Sequence, residues 1–360
     1  MRRNIFIIAL ILIDIQVNAQ LVFYNADKFP LLGKISIETE TVYERLPAYL
    51  KDITRPSLWN LGKNTAGLAV RFRSNSTQIA SKWELTYNNE MNHMSLTGIK
   101  GLDLYALEND EWLFVNSARP TGKCNQTVVI SNMDGKMREY ILFLPLYDGV
   151  ILLEIGVDSL SVICQPEIDL PVRQNPVICY GTSIFQGGCA TRPGMAYTNI
   201  LSRWLNREFI NLGFSGNGKL DYEIAELISL SNAFIILLDF VPNVGVKEIE
   251  EKMEIFYRII RNKLPDVPIV FIENPEYPRS KFNLEEQRLI REKNEALNWV
   301  FNRLKQSGEK NIKLISSKGM IGTDNEATVD GAHFTDLGFI RYAEHLLPFF
   351  DELIKSTLTD

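Results

Sequence analysis

The chain has 360 residues, of which 46% are hydrophobic and 23% are charged, and its formal net charge is −6. This length is sufficient for two ordinary domains with separate cores. An acidic chain is a poor partner for nucleic acid, because binding to phosphates requires clustered positive charge. The four cysteines form no CxxC pair and no Cys/His group at metal-ligand spacing, so the sequence predicts no metal site and leaves disulfide pairing open.

The first 19 residues have the pattern of a secretory signal peptide. Two arginines, Arg2 and Arg3, precede an apolar run over 5–13, and small residues end at Ala19. The alternative is an uncleaved anchor, but the run is shorter than the roughly 20 residues of a bilayer span, and Asp14 follows it. We therefore expect an exported protein, periplasmic or secreted, without stable membrane insertion. Loss of two arginines and one aspartate would change the charge from −6 to −7.

Residues 20–170 predict an all-β domain. Short β-rich runs alternate with turn-forming clusters, which is typical of an antiparallel sandwich. The predicted strands cover 66–73, 78–86, 98–107, 111–115, 127–132, 138–146 and 151–157. Three prolines then fall within 165–176, where apolar periodicity is weak, and this segment is the best candidate for a domain boundary.

Residues 171–360 predict a second domain of the α/β class. Near-continuous Val/Ile/Leu strands alternate with amphipathic helices, a pattern that indicates a parallel sheet covered by helices on both faces. The predicted strands are 177–180, 209–212, 233–240, 269–273 and 312–315. The predicted helices are 196–206, 221–229, 247–263, 284–306 and 335–354. In such open sheets, ligands bind beyond the carboxyl ends of the strands.

The carboxyl edge of the predicted sheet carries residues that could form a serine nucleophile and its activating groups. Ser183 follows the first strand of the second domain, and Asp330 and His333 share one loop before the last helix. A serine hydroxyl attacks well at neutral pH only when an imidazole removes its proton and a carboxylate orients that imidazole. Of the other two histidines, His93 lies in a polar loop of the first domain and His345 lies within a helix, so His333 is the natural candidate.

Two further segments at strand ends are candidate donors to an oxyanion. Gly216 lies in a Gly-rich loop after 209–212, where backbone N–H groups are accessible, and Asn243 follows 233–240 with a side-chain amide. Each segment also fits an ordinary turn. The spacing from Gly213 to Lys219 resembles a phosphate loop, but Leu220 stands where magnesium binding requires Ser or Thr.

These blocks, in this order, resemble the SGNH (GDSL-type) hydrolase superfamily over 177–349. Block I matches Tyr180-Gly-Thr-Ser183-Ile, block II matches Asn211-Leu-Gly-Phe-Ser-Gly216, and block V matches Asp330-Gly-Ala-His333. Block III keeps only its Asn, within Val241-Pro-Asn243-Val, and block I has Thr182 in place of Asp. One branch of the superfamily carries an N-terminal β domain with a GxDLY motif, and this chain has Gly101-Leu-Asp103-Leu-Tyr105.

The resemblance implies a jelly-roll-like β-sandwich followed by an SGNH-type α/β hydrolase domain. It implies an esterase that uses Ser183, His333 and Asp330, with Gly216 and Asn243 in the oxyanion hole and no metal or organic cofactor. An acylated carbohydrate is the expected substrate. The alternatives are a lipid esterase or thioesterase, and an inactive glycan-binding protein on the same scaffold. An α/β-hydrolase is disfavoured because Phe185 replaces the second glycine of GxSxG.

Three remaining predictions concern ligand contacts. Arg192, shortly after the nucleophile, is a candidate substrate-binding residue, with an exposed loop arginine as the alternative. Glu273 ends the fourth strand of the second domain and either lines the pocket or accepts local hydrogen bonds. The tryptophans at 59, 83 and 112 either stack on sugar rings or belong to the core of the first domain.

Overall fold

A computed structural model describes the backbone of residues 20–357 and the side chains of residues 20–353. The predicted signal peptide, 1–19, lies outside the described residues. Among the helices described, none combines the length and the apolar character that crossing a membrane requires.

The first domain consists of two antiparallel sheets. Its strands are β1 (Leu21–Asn25), β2 (Leu31–Leu32), β3 (Ala69–Ser74), β4 (Ile79–Leu85), β5 (Leu102–Glu108), β6 (Glu111–Ala118), β7 (Cys124–Ile130), β8 (Arg138–Phe143), β9 (Val150–Asp158) and β10 (Ile163–Cys164). One sheet has the order β1-β9-β4-β7, and the other has β10-β3-β8-β5-β6 with β2 paired to β3. The predicted antiparallel sandwich is thus confirmed.

The core of this domain lies between its two sheets. Val70 and Phe72 from one sheet and Ile79 and Trp83 from the other are all buried in one apolar cluster. Trp59 and Trp112 are also only 7% exposed, so the three tryptophans belong to the protein interior rather than to a sugar-stacking surface. Burial of these large side chains is a major source of stability for a two-layer fold.

Two short helices interrupt the β-rich first domain: α1 (Pro56–Gly62) and α2 (Leu96–Lys100). The prediction of a strand over 98–107 is therefore wrong at its start, and the strand begins at Leu102. The reason is local, because the side chain of Ser95 accepts a hydrogen bond from the N–H of Gly98 and caps a helical turn.

The second domain alternates strands and helices as predicted. Its strands are β11 (Val172–Gly181), β12 (Arg207–Gly213), β13 (Ile235–Asp239), β14 (Ile269–Ile272) and β15 (Ile312–Ile315). Its helices are α3 (Ser183–Gln186), α4 (Tyr197–Trp204), α5 (Tyr222–Ser229), α6 (Val246–Lys263), α7 (Leu284–Gln306) and α8 (Asp336–Thr357). All neighbouring strands run parallel, in the order β12-β11-β13-β14-β15.

The sheet is covered on both faces, which explains its continuous apolar strands. Ile178 and Tyr180 of β11 join one apolar cluster, whereas Val177 and Cys179 join the other. This alternation follows from the period of two along a strand. The strand order reverses between β11 and β13, and ligands bind beyond the carboxyl ends of the strands at such a switch point.

The two domains share a buried polar junction at Arg45. Its guanidinium is fully buried and donates hydrogen bonds to four carbonyl groups. Those of Leu61 and Asn64 lie in the first domain, and those of Asn211 and Gly213 lie at the end of β12. The first domain therefore supports the strand end that precedes the Gly-rich loop.

Candidate active site

Ser183 follows the interior strand β11 and is the first residue of the one-turn helix α3. The hydroxyl of Thr182 accepts a hydrogen bond from the N–H of Ile184, which caps this turn. From the first domain, the hydroxyl of Tyr147 donates to the carbonyl of Ser183 at 3.3 Å. The turn that holds Ser183 is thus fixed from both domains.

Ser183, His333 and Asp330 form one continuous hydrogen-bonded chain. Nε2 of His333 lies 3.0 Å from Oγ of Ser183, and Nδ1 of His333 lies 2.8 Å from Oδ2 of Asp330. These distances are within the range in which a base can receive a serine proton while a carboxylate holds the opposite ring nitrogen. The structure thus brings together the three residues that the sequence predicts to act together.

Backbone hydrogen bonds within the loop before α8 also hold the Asp330 side chain in place. Oδ1 of Asp330 accepts hydrogen bonds from the backbone N–H groups of Ala332 and His333, at 3.0 and 2.8 Å. Partial burial acts to raise the pKa of Asp330, but the hydrogen bonds from His333 and from these N–H groups outweigh it and lower the pKa to about 2. Asp330 is therefore ionised near neutral pH and can stabilise an imidazolium.

The Gly-rich loop packs closely against the Ser183 turn. The N–H of Ser215 donates to the side chain of Gln186 at 2.9 Å, and a Cβ on Gly218 would lie only 2.1 Å from the carbonyl oxygen of Gly181. Gly216 has φ +65°, which favours glycine. Within residues 20–353, the N–H groups of Ser183 and Gly216 donate no hydrogen bond, so both are available to a ligand.

Asn243 ends a short 3₁₀ turn, Val241–Asn243, directly after β13. Its side-chain amide donates to the carbonyl of Phe214 at 3.3 Å, which holds it beside the Gly-rich loop. An amide nitrogen carries two N–H bonds, so one remains for a ligand. Three candidate oxyanion donors thus follow three adjacent strands of the sheet.

A groove of about 270 Å³ opens in front of Ser183 and His333. It is lined by Ser183, Ile184, Pro242, Asn274, Tyr277, Arg279, Glu286, Leu289, Ile290, Lys293, Ala332 and His333. Tyr277 and Ile290 also line a neighbouring cleft of about 670 Å³. Glu273 lines this second cleft, where it accepts hydrogen bonds from Asn298 and Ser317.

Comparison with known proteins identifies the family of the chain. Residues 174–351 match the model of the GDSL-like Lipase/Acylhydrolase family, and residues 21–163 match the GxDLY model, the N-terminus of Esterase_SGNH_hydro-type. A crystal structure of a Bacteroides ovatus protein described as a GDSL-like lipase is 35% identical, with a TM-score of 0.90, over 93% of this chain and 98% of that one. The chain belongs to the GDSL-like lipase/acylhydrolase family.

More distant structures share the fold of this GDSL-like protein. The salicylyl-acyltransferase SsfX3 from a tetracycline biosynthetic pathway is 16% identical, with a TM-score of 0.73, over 93% of this chain and 97% of that one. A family two carbohydrate esterase from Cellvibrio japonicus is 11% identical, with a TM-score of 0.61, over 94% of this chain and 99% of that one. No curated protein sequence matches the chain.

In this GDSL-like hydrolase, Arg192 lies against the first domain and not in the catalytic groove. Its Nη1 donates to Oδ2 of Asp103 at 2.8 Å and to the hydroxyl of Tyr105 at 2.6 Å, and its guanidinium stacks on Phe114. Asp103 and Tyr105 are the Asp and Tyr of the GxDLY motif. These contacts direct Arg192 toward the GxDLY motif, and the substrate contact of Arg192 stays a prediction.

Two residues near the catalytic groove of this family member were not predicted from the sequence. The His93 ring lies 5.7 Å from the His333 ring, and Cys189 lies beside both. His93 comes from the loop between β4 and α2, far from His333 in sequence, so no motif spacing indicates their contact. His345 contacts the carbonyl of Ser316 instead. The four cysteines are free thiols.

Proposed function

We propose that this GDSL-like hydrolase is an exported serine esterase that removes acetyl or similar short acyl groups from a carbohydrate. The observation that carries the catalytic part is the hydrogen-bonded chain from Ser183 Oγ through His333 to Asp330. Export rests on the signal-peptide pattern of 1–19.

The reaction proceeds in two acyl-transfer steps. His333 removes the proton from Ser183 as Oγ attacks the ester carbonyl, and Asp330 stabilises the resulting imidazolium. The N–H groups of Ser183 and Gly216 and the amide of Asn243 stabilise the oxyanion. The sugar hydroxyl leaves with the proton from His333. Water, activated by the same imidazole, then releases the acyl group and restores Ser183.

The shape of the site supports a short acyl group on a polar molecule. The catalytic groove of about 270 Å³ lies below the usual size of pockets for drug-sized ligands. The adjoining cleft of about 670 Å³ has many polar side chains, which suit sugar hydroxyls. They include Glu276, Lys281, Gln287, Asn294 and Asn325. A Clostridium thermocellum family two carbohydrate esterase with the same overall fold was crystallised with cellohexaose.

Hydrolysis of nitrophenyl acetate, butyrate and octanoate by the chain without residues 1–19 tests this function, followed by acetate release from acetylated xylan. Acetate should be the best of the three esters, and Ser183→Ala should abolish turnover while keeping the melting temperature. Preference for octanoate would favour a lipid esterase. Glycan binding without turnover in the unmodified protein would favour an inactive binding protein.

A further inference from the structure

One cluster at the catalytic groove joins the catalytic His333 to two residues that have no part in the ester hydrolysis described above. It consists of His93, Cys189 and His333, whose ligand atoms all lie within 4.8 Å of one another. Each residue comes from a different segment. His93 belongs to the loop before α2 in the first domain, Cys189 to the loop after α3, and His333 to the loop before α8. The cluster therefore exists only when the two domains are docked.

We propose that His93, Cys189 and His333 form an inhibitory site for a zinc ion. Two imidazoles and one thiolate are a donor set that Zn²⁺ prefers, whereas Mg²⁺ and Ca²⁺ prefer oxygen ligands. Zinc bonds of about 2.0–2.3 Å place ligand atoms somewhat closer together than 4.8 Å, so small side-chain rotations complete the site. A water molecule or the Ser183 hydroxyl completes a tetrahedron.

The surroundings of the histidines favour metal binding. Nδ1 of His333 lies 2.8 Å from Asp330, which leaves Nε2, 3.0 Å from Oγ of Ser183, as the ring atom that can bind a metal. A carboxylate behind a histidine orients the ring and increases its basicity as a metal ligand. Nδ1 of His93 lies 3.2 Å from the side-chain oxygen of Asn92, an arrangement that leaves Nε2 of His93 free to bind.

Cys189 supplies the sulfur ligand of the site from a buried position. Cys189 is only 4% exposed, so its thiol faces the two imidazoles rather than solvent. On binding, the thiol releases its proton to solvent, and the thiolate forms the Zn–S bond. No oxidant or reductant is required.

Zinc binding and catalysis exclude each other at one atom. Nε2 of His333 receives the proton from Ser183 during catalysis, and the same lone pair would bind zinc. A zinc-bound His333 cannot act as a base, so the ion should inhibit reversibly. This inhibition rests on the proposed esterase function, whose steps as written above use no metal.

The test uses the full folded chain after dialysis against EDTA. Co²⁺ replaces Zn²⁺ as a spectroscopic probe, because a thiolate ligand gives a charge-transfer band in the near ultraviolet and a tetrahedral site gives visible bands. We expect one ion per chain, competition by Zn²⁺ and none by Mg²⁺. Co²⁺ binding to the Ser183→Ala variant tests the metal site even if the protein proves to have no esterase activity.

Variants then assign the ligands. Cys189→Ala should remove the charge-transfer band. His93→Gln should weaken Zn²⁺ binding by at least about tenfold and should weaken the zinc inhibition of nitrophenyl acetate hydrolysis by a similar factor. Inhibition is measured for each variant relative to its own rate without zinc. His93→Gln changes a half-buried loop residue, so it serves if Cys189→Ala does not fold. Cys124→Ala and His345→Gln remove a thiol and an imidazole elsewhere and should change nothing. Unchanged zinc affinity in folded Cys189→Ala or in His93→Gln, or no bound Co²⁺ in the unmodified protein, would overturn the proposal.

Discussion

Asp103 in β5 and Arg192 in the loop after the Ser183 helix form a salt bridge of 2.8 Å between the two domains. Asp103 is fully buried and also accepts hydrogen bonds from the hydroxyl of Ser117 and the N–H of Gly194. The guanidinium of Arg203, which bonds the carbonyl of Gly194, stacks on Tyr105. The GxDLY motif of the β domain thus anchors the loop that follows the nucleophile.

Asp103→Ala should destabilise the protein by about 3 kcal/mol, because it leaves Arg192 without its carboxylate partner in a largely buried site. We also expect a lower kcat for nitrophenyl acetate, since the 187–196 loop adjoins the Ser183 turn. Urea unfolding and steady-state kinetics measure the two effects. The matched control is Glu292→Ala, which breaks the exposed pair with Arg288 and should cost less than about 1 kcal/mol. Equal losses in the two variants would contradict an anchoring role for Asp103.

Arg45→Lys should also be strongly destabilising, although the charge is kept. The guanidinium reaches four carbonyl groups, whereas an ammonium offers three donors at a single point, so at least one buried acceptor loses its partner. Such a loss costs about 1–3 kcal/mol. Faster hydrogen exchange in 211–218 should accompany the lower stability. Arg303→Lys, at a half-exposed residue of α7, is the control.

Glu208 should make stability depend on pH. It accepts a hydrogen bond from the N–H of Gly33 across the domain junction, and burial raises its pKa from 4.5 to about 7. The folded state therefore keeps a proton that the unfolded state loses. Between about pH 4.5 and 7, the free energy of unfolding should fall as pH rises, by at most about 1.4 kcal/mol per pH unit from this group.

Glu208→Gln isolates this contribution, because Asp239, with a pKa that burial also raises to about 7, gives a slope of the same sign in both proteins. Urea unfolding across this pH range should give a flatter dependence for the variant. Superimposable pH dependences would show that Glu208 does not hold a proton in the folded protein.

The sequence could predict the layers of both domains and the three residues of the hydrogen-bonded chain. Parallel strands end at a common edge, so the sequence predicts that Ser183 after β11 meets the 330–333 loop before α8, and the structure shows this contact. Their catalytic roles stay predictions until they are measured. The sequence could not place His93 or assign Arg192 to Asp103, because both contacts depend on how the two domains dock. Local propensity also gives the wrong element at 98–100. The sequence predicts a strand there, but the Ser95 side chain caps a short helix.

Gly216→Ala and Gly218→Ala should differ sharply, although both lie in the same loop. At Gly216 a Cβ meets open space, so only the left-handed backbone conformation opposes alanine, at about 1–2 kcal/mol. The N–H is kept, so most activity should remain. At Gly218 a Cβ would lie 2.1 Å from the carbonyl oxygen of Gly181, and the loop must move away from the Ser183 turn. Gly218→Ala should therefore lose most of its kcat. Higher activity in Gly218→Ala than in Gly216→Ala would contradict this packing.

Asp330→Asn should reduce kcat/KM by roughly 10³–10⁴-fold with little change in melting temperature, because an amide cannot stabilise the imidazolium or select the correct tautomer of His333. In the unmodified protein the pKa of Asp330 is lowered to about 2, so the carboxylate stays ionised and its support of His333 is lost only as pH falls toward that value. The pH profile of kcat/KM should therefore show no ionisation at the ordinary carboxyl pKa of about 4. Asp324→Asn, in the same segment before α8, changes the same kind of group where it contacts Arg341 instead of His333, and it should keep most activity. Comparable losses in both variants would place the effect in the loop as a whole rather than in the Asp330–His333 contact.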